Sequence, residues 1–227
     1  MTSGDTVEKV DYFANHELVV KWPFTIYHHP IERSLVDSIA HAARSFQRPL
    51  KVLVFGCGYF HERHLYPPDT QFILIDQDLR LQDAMRTFVA RTPNNHAYTC
   101  RNHQEFAEIV EKHAGTVHLI TAKEVIEHIT DMELYFPLFR KLLAPGGILW
   151  LSTPNYGDWT LPLVENTFLE LVARRRGFSR KDMHPNRYSR QRLRDELEMY
   201  GFSGIEVNKT PLKLALTSSA LNGQPNA

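Results

Sequence analysis

The sequence is poor in cysteine, carries no excess charge and contains no long apolar run. Its 227 residues include two cysteines, and 26 basic residues balance 26 acidic ones. Two cysteines cannot form a disulfide framework, so we expect reduced thiols and a cytoplasmic protein. Apolar runs such as residues 148–151 are far shorter than the ~20 residues that a membrane helix needs, which predicts no membrane-spanning segment. The first residues show no basic region followed by an apolar core, so we expect no signal peptide.

The balanced charge also argues against a broad nucleic-acid surface, because such surfaces usually make a domain basic. One stretch departs from this balance: residues 174–194 contain nine Lys or Arg residues and one acid, Asp182. This stretch is either the solvated face of helices or a local rim that attracts phosphate. A nucleic-acid partner is therefore not favoured but stays open.

The most informative motif joins an apolar run to a glycine turn. Residues 52–55 run directly into Gly56-Cys57-Gly58, and a second apolar run, residues 72–75, ends at Asp76, 20 positions after Gly56. A strand, a glycine turn, a short helix and a second strand that ends in an acid are typical of a nucleotide-binding βαβ unit. Glycine lets the backbone approach a ligand closely, and the acid can accept hydrogen bonds from ribose hydroxyls.

Helical segments alternate with short apolar strands along the chain, which predicts an α/β doubly wound sheet. The predicted strands are 50–55, 72–75, 96–99, 117–122, 148–152, 202–208 and 212–216. The predicted helices are 31–46, 78–90, 104–112, 131–143, 161–176 and 189–200. A ligand of such a sheet lies beyond the carboxyl ends of the strands, near Gly56, Asp76, Ala122 and Thr153.

Five ordered blocks resemble the class I S-adenosylmethionine-dependent methyltransferases, in particular the group of ubiquinone-type and other small-molecule methyltransferases. The blocks are residues 52–58, Asp76, residues 124–128 (Glu-Val-Ile-Glu-His), residues 142–147 (Leu-Leu-Ala-Pro-Gly-Gly) and residues 152–155 (Ser-Thr-Pro-Asn). The resemblance spans about residues 48–208. It implies a Rossmann-like sheet of seven strands whose last hairpin is antiparallel, and S-adenosyl-L-methionine as the cofactor.

This resemblance suggests a division of the chain. Residues 1–47 would form an aromatic and helical lid segment, and residues 48–216 the methyltransferase domain. Residues 158–188 would be a helical insert after the fifth strand. The polar residues 217–227 would form a flexible tail.

Two positions depart from the family's pattern. Val54 stands where the family usually has an acid that helps to orient the methionine end of the cofactor. Phe60 replaces a third glycine, and it would crowd the helix start or cover the cofactor. A non-catalytic methyltransferase-like domain is therefore one alternative.

The resemblance and the strand ends together predict the cofactor contacts. The predicted residues are Phe55, Gly56, Cys57, Gly58, Asp76, Gln77, Asn102, Ala122, Lys123 and Glu124. Asn102, which follows the third strand, would contact adenine or would instead cap the next helix.

A second cluster of polar residues follows the fourth strand. Glu124, Glu127 and His128 are spaced by three and four positions, which places them on neighbouring positions of one helical turn. His184 lies in a loop before a helix, and an imidazole with an unperturbed pKa near ~6.5 can act as a general base, so His128 and His184 are the predicted catalytic residues. The same four residues could instead hold a divalent metal, which we do not favour. They also resemble the block of the small-RNA 3′-terminal 2′-O-methyltransferases.

Aromatic residues near both ends of the domain could form a lid over the acceptor. The candidates are Trp22, Tyr27, Tyr156, Trp159 and Tyr188, and ordinary packing against the sheet is the alternative. The predicted function is O-methylation of a small-molecule acceptor by a monomer or homodimer. The alternatives are a metal-dependent RNA 2′-O-methyltransferase and a non-catalytic domain.

Overall fold

The computed structural model describes residues 25–91, 94–164 and 184–223. The strands are β1 Lys51–Phe55, β2 Gln71–Asp76, β3 His96–Thr99, β4 Val117–Lys123, β5 Leu143–Pro154, β6 Ser203–Lys209 and β7 Ala215–Leu221. The helices are α1 Thr25–Ser45, α2 Gln82–Ala90, α3 His103–His113, α4 Phe136–Leu142, α5 Thr160–Val164 and α6 Arg190–Met199. None of the helices in these ranges is long and apolar enough to cross a membrane.

The seven strands form one sheet in the order β3-β2-β1-β4-β5-β7-β6. Strands β1 to β5 are parallel, whereas β7 runs antiparallel between β5 and β6. The predicted Rossmann-like fold with an antiparallel last hairpin is therefore confirmed. The strand order reverses between β1 and β4, which is the switch point where ligands of such sheets bind.

The central strands are apolar on both faces because helices cover both faces of the sheet. On one face, residues of α1 and α2 pack on the sheet, with Trp150 fully buried among them. On the other face, residues of α3, α4 and α6 pack around Phe106 and Phe139. Two continuous cores hold the strand ends in register and so fix the position of the site.

The first helix is longer than the sequence predicts. It begins at Thr25 rather than at Ile31 and contains Pro30. Pro30 lies in the second turn, where a proline removes one backbone hydrogen bond and usually marks a helix boundary, and the aromatic residues before it show no clear periodicity. The early start is therefore not visible in the sequence. Of the predicted lid segment, residues 1–24 lie outside the described residues.

The prediction of a flexible tail from residue 217 is wrong. Thr217 to Leu221 belong to β7, where Thr217 pairs with Ser152 of β5 and with Asn208 of β6. Hydrogen bonds to two neighbouring strands compensate for a polar composition that by itself suggests a loop. The predicted insert is described at its two ends, where α5 and residues 184–188 lie, while residues 165–183 fall outside the described residues.

Candidate active site

A cavity of about 500 Å³ opens at the carboxyl ends of β1, β2 and β4. Most of the predicted cofactor contacts line it, namely Phe55, Gly56, Cys57, Gly58, Asp76, Gln77, Lys123 and Glu124. The strand ends therefore bring together the glycine turn, the acid after β2 and the residues after β4, as the sequence predicts.

The glycine turn needs its glycines for two separate reasons. Gly56 and Gly58 have φ angles of 68° and 51°, in the left-handed region that residues with a Cβ rarely adopt. A Cβ on Gly56 would lie 2.5 Å from Cγ2 of Val125, so the turn also packs too closely on the segment after β4 to accept a side chain.

Phe60 has a backbone conformation that favours glycine. Its φ of 50° is left-handed, and its ring packs edge-on against Phe72 and Phe88 at centroid distances of 5.0 and 5.6 Å. The side chain is buried and forms part of one cavity wall. After Phe60 the chain forms a short 3₁₀ helix, His61–Leu65.

Asp76 fastens the glycine turn to the end of β2. Its Oδ2 accepts a hydrogen bond of 2.8 Å from the Gly58 N–H, and its Oδ1 accepts one of 3.0 Å from the Asp78 N–H. A carboxylate has about four acceptor positions, so both oxygens can still accept bonds from ligand hydroxyls.

Two predicted cofactor residues do not line the cavity. Asn102 is the N-cap of α3, where its Oδ1 accepts a 2.9 Å bond from the Glu105 N–H, and Cys100 and Arg101 line the cavity instead. Ala122 is fully buried in the core on the other side of its strand, because alternate residues of a strand face opposite sides of the sheet.

An ion pair that the sequence does not reveal lies on the cavity wall. Lys123 Nζ contacts Glu62 Oε1 closely and lies 3.4 Å from Glu32 Oε1 of α1. Burial alone would raise the pKa of Glu62, but the charge and hydrogen bond of Lys123 outweigh burial and hold that pKa below its usual value. No spacing rule links these residues, since each comes from a different element.

Glu124 is held apart from the other members of the predicted catalytic cluster. Its backbone is left-handed, with φ of 55°, and the predicted helical turn is a 3₁₀ turn over Ile126–His128. Oε2 accepts a 2.5 Å hydrogen bond from the Tyr27 hydroxyl, and Oε1 accepts a 2.9 Å bond from Ser152. Burial raises the pKa of Glu124, and these two hydrogen bonds partly offset the rise.

Glu127, His128 and His184 meet behind the cavity wall. One ligand atom from each lies within 4.8 Å of the others, and the two imidazole centroids are 4.8 Å apart. His128 Nε2 lies 3.8 Å from Glu127 Oε1, and His128 is the member that lines the cavity. Burial, followed by the charge of Glu124, raises the pKa of Glu127 well above its usual value. Its Oε2 is buried without a hydrogen bond of standard geometry among the described residues, although the Thr153 side chain partly offsets the rise in this pKa.

This cluster could move a proton or hold a cation. One carboxylate and two imidazoles form a mixed oxygen and nitrogen ligand set. The structure brings together three of the four residues predicted for a metal, whereas the carboxylate of Glu124 is bound to Tyr27 and Ser152.

Backbone bonds place His184 beside His128. The Asn186 N–H donates to the Glu127 carbonyl at 3.1 Å, and the Tyr156 N–H donates to the Tyr188 carbonyl at 2.8 Å. The Tyr156 hydroxyl lies 2.5 Å from His184 Nδ1. The loop after the insert is thus fixed to the segments after β4 and β5.

The predicted lid residues do not act as one group. Tyr27 and Tyr156 contact Glu124 and His184, respectively, next to the cavity. Tyr188 is fully buried in the core beneath the Arg192 guanidinium, so its assignment to the lid is wrong. Trp159 is 72% exposed, and Trp22 lies outside the described residues.

Three of the described basic residues in this stretch contact other side chains of the protein. Arg192 and Arg194 form ion pairs with Glu196 and Glu198 along α6, and Arg187 lies over the Tyr156 ring. These contacts are those of a solvated helix face. The basic residues 174–181 lie outside the described residues.

Comparison with known proteins agrees with this geometry. The family described as "Methyltransferase domain" matches residues 27–207. A segment of 48 residues is 42% identical to the human mitochondrial ubiquinone biosynthesis O-methyltransferase, and it covers 21% of this chain and 13% of that protein. The chain therefore matches only a small part of that relative's length.

Two solved structures illustrate the likeness of the fold. An O-methyltransferase family protein from Burkholderia thailandensis superposes with a TM-score of 0.63 at 12% identity, over 89% of this chain and 58% of that one. Phosphoethanolamine N-methyltransferase 2 from Haemonchus contortus, in complex with S-adenosyl-L-methionine, has a TM-score of 0.57 at 14% identity, over 92% and 60% of the two chains.

The family match covers most of the chain and includes the glycine turn, Asp76 and the Glu-Val-Ile-Glu-His block. It favours an enzyme over the non-catalytic domain that Val54 and Phe60 had suggested. The chain belongs to the methyltransferase-domain family and is a class I S-adenosylmethionine-dependent methyltransferase.

Proposed function

We propose that this protein methylates a hydroxyl group of a small-molecule acceptor. The observation that carries the proposal is His128, which lines the cavity and is backed by Glu127 and His184. A hydroxyl must lose a proton as it accepts a methyl group, so an imidazole at the cavity wall suits an oxygen acceptor. The partial match to an O-methyltransferase of ubiquinone biosynthesis supports the same choice of acceptor atom.

Several groups that line the cavity suit the cofactor. Asp76 would hold the ribose hydroxyls, and the left-handed glycine turn lets the backbone approach them, with the Gly58 N–H already bound to Asp76. S-adenosylmethionine supplies an activated methyl group on a sulfonium. The protein then has to align the acceptor oxygen with that methyl group and to exclude water.

The cluster of Glu127, His128 and His184 would remove the proton from the acceptor hydroxyl. His128 would take the acceptor proton. The positive imidazolium that forms would favour the ionised form of Glu127, whose Oε1 lies 3.8 Å from His128 Nε2. His184 lies against His128 and is held by Tyr156, so it positions His128 or relays the proton.

The test is methyl transfer to a panel of phenols, catechols and aliphatic alcohols, followed as S-adenosylhomocysteine formation. His128→Gln should lower kcat by about 100-fold or more, the usual contribution of a general base. Its affinity for S-adenosylhomocysteine should stay within about twofold, because the glycine turn and Asp76 are unchanged. His41→Gln, an exposed change on α1, is the matched control. Transfer to amines alone, or full activity of His128→Gln, would refute the assignment.

A second candidate is metal-assisted transfer, in which Glu127, His128 and His184 hold a divalent cation that binds the acceptor oxygen. The buried Glu127 Oε2, which lacks a hydrogen bond of standard geometry among the described residues, favours this candidate. It predicts that EDTA abolishes turnover and that added Mg²⁺, Mn²⁺ or Zn²⁺ restores it. Turnover that resists EDTA assigns the proton to His128 alone. If the acceptor is RNA, the affinity of the protein for RNA should in addition fall steeply as the salt concentration rises.

A cytoplasmic location and a monomeric or dimeric state remain predictions. The free, buried thiols of Cys57 and Cys100 are compatible with a reducing compartment.

A further inference from the structure

The ion pair between Glu62 and Lys123 lies on the cavity wall, apart from the proposed proton acceptor His128 and the ribose-binding Asp76. Glu62 comes from the 3₁₀ helix after the glycine turn and Lys123 from the end of β4, and both line the cavity. Their side chains are 19% and 15% exposed. Two charges at this depth lose much of their hydration, so they require good partners.

If Asp76 holds the ribose, the strand order indicates which end of the cofactor meets this pair. Asp76, at the end of β2, marks the ribose, and β1 separates β2 from β4. A ligand that lies across the strand ends then points one end beyond Asp76 toward Cys100 and Arg101 and the other toward Lys123. The first end suits the purine, and the second receives the amino-acid part.

The amino-acid part is a zwitterion, and its ammonium needs an acceptor. Val54, the position from which the family's acid would act, is apolar and buried. The other carboxylates lining the cavity within the described residues are Asp76 and Asp78 at the ribose end, and Glu124, which binds Tyr27 and Ser152. Glu62 is therefore the carboxylate that remains for the ammonium.

We propose that Glu62 and Lys123 clamp the amino-acid end of S-adenosylmethionine and replace the acid that is absent at Val54. Glu62 accepts from the α-ammonium, and Lys123 donates to the α-carboxylate. An ammonium has three N–H donors, and Glu62 and Glu32 accept two from Lys123, so one remains for the ligand. The proposal rests on cofactor use by the family and is independent of the acceptor and of the base.

Two ligands separate this role from a structural one. S-adenosylhomocysteine carries the amino-acid end, whereas 5′-deoxy-5′-methylthioadenosine has the same nucleoside without it. Calorimetric titration of both ligands into wild type, Glu62→Gln and Lys123→Met gives the comparison. Each substitution should weaken S-adenosylhomocysteine by about tenfold or more, the effect of losing a hydrogen bond to a charged group, and methylthioadenosine by less than about twofold.

A decarboxylated analogue of S-adenosylhomocysteine, which keeps the amine, distinguishes the two residues. Glu62→Gln should weaken it, and Lys123→Met should not. Glu111→Gln is the matched control, because it removes the carboxylate of another Lys–Glu pair, with Lys141, on exposed surface. This control should bind every ligand as the wild type does.

Equal weakening of both adenosine ligands would overturn the proposal, because it would show that the pair only supports the wall. Unchanged binding of S-adenosylhomocysteine in both variants would overturn it as well. If Glu62→Gln does not fold, Glu62→Asp, which keeps the charge and shortens the side chain, should show the same ligand-selective loss on a smaller scale. Wild-type binding without turnover of any alcohol would count against the proposed acceptor only and would leave the clamp intact.

Discussion

The Tyr27 hydroxyl donates a 2.5 Å hydrogen bond to Oε2 of Glu124 and so joins α1 to the end of β4. Glu32 of α1 reaches the neighbouring residue, Lys123, at 3.4 Å. Because His28 and Leu35 of the same helix line the cavity, these two contacts fix one cavity wall against the strand ends. They also hold Glu124 in its left-handed conformation, which an unsupported residue would not keep.

Removing the Tyr27 hydroxyl should destabilise the protein in a pH-dependent way. Tyr27→Phe leaves the buried Glu124 carboxylate with one donor fewer, at a cost of about 1–3 kcal/mol. The cost should be larger at pH 8 than at pH 5, because the Tyr27 hydroxyl stabilises the ionised carboxylate. The pKa of Glu124 is raised, so lowering the pH favours the neutral acid, which needs this donor less. Urea unfolding at both pH values measures the free-energy difference.

Tyr98→Phe is the matched control for this change. It removes a hydroxyl that lies 3.2 Å from His113 Nε2, among residues that do not line the cavity. It should leave the affinity for S-adenosylhomocysteine unchanged. A Tyr27→Phe protein as stable as the wild type at pH 8 would show that the contact does not secure α1.

Asp76 should be the most sensitive single position for cofactor affinity. Asp76→Asn keeps the size of the side chain but replaces one acceptor oxygen by a donor, which opposes the backbone N–H of Gly58 or of Asp78. We expect the affinity for S-adenosylhomocysteine to fall by about tenfold or more, the effect of losing a hydrogen bond to a charged group. Asp37→Asn, on the exposed side of α1, should have no effect. An unchanged affinity in Asp76→Asn would remove the ribose assignment.

The parts of the fold that the sequence predicts are those in which local pattern and tertiary position agree. Residues 52–58 and Asp76 form the strand, the turn and the acid that their order indicates. The apolar runs predict the two strands and the glycines predict the turn between them, so each local signal indicates the same βαβ unit. The sequence alone therefore locates the cavity, and most of the cofactor residues that it predicts line the cavity wall.

The remaining features depend on contacts between distant segments. Tyr188 looks like a lid aromatic in its polar loop, but its backbone pairs with Asn155 and its ring is drawn into the core. Likewise, β7 runs through polar residues because β5 and β6 supply its hydrogen bonds. The pairing of Glu62 with Lys123 joins residues 61 positions apart and has no local signature.

Phe60 offers a direct test of its left-handed backbone. Removal of a buried aromatic ring costs about 3–5 kcal/mol, and relief of left-handed strain returns about 1 kcal/mol when glycine takes the position. Phe60→Gly should therefore be more stable than Phe60→Ala by about 1 kcal/mol, the reverse of the usual order of these residues. Thermal or urea unfolding of both variants decides the point. A more stable alanine variant would show that the position carries no strain.

Acid should destabilise the protein through His28. Burial, together with the charge of Lys123, lowers the pKa of His28 to about 4. The folded state thus prefers the neutral imidazole, so this contribution to stability is complete above the unfolded pKa of ~6.5 and is lost as the pH falls toward 4. Between pH 7 and pH 4.5 the wild type should lose about 2 kcal/mol more than His28→Gln.

The difference between the two proteins isolates His28, since Glu124 and Glu127, whose pKa values are raised, contribute with the opposite sign in both. If the free energies of unfolding of wild type and His28→Gln change in parallel with pH, the imidazole at this position is not buried in its neutral form.

The most direct test of the account is calorimetric titration of S-adenosylhomocysteine into the purified wild-type protein. We predict binding at one site per chain with micromolar affinity, despite Val54 and Phe60. The glycine turn, Asp76 and the Glu62–Lys123 pair line the cavity and together offer partners for the ribose and for the amino-acid end of the ligand. Absence of binding at millimolar ligand would contradict this prediction, since the cavity at the strand ends would then not be a cofactor site.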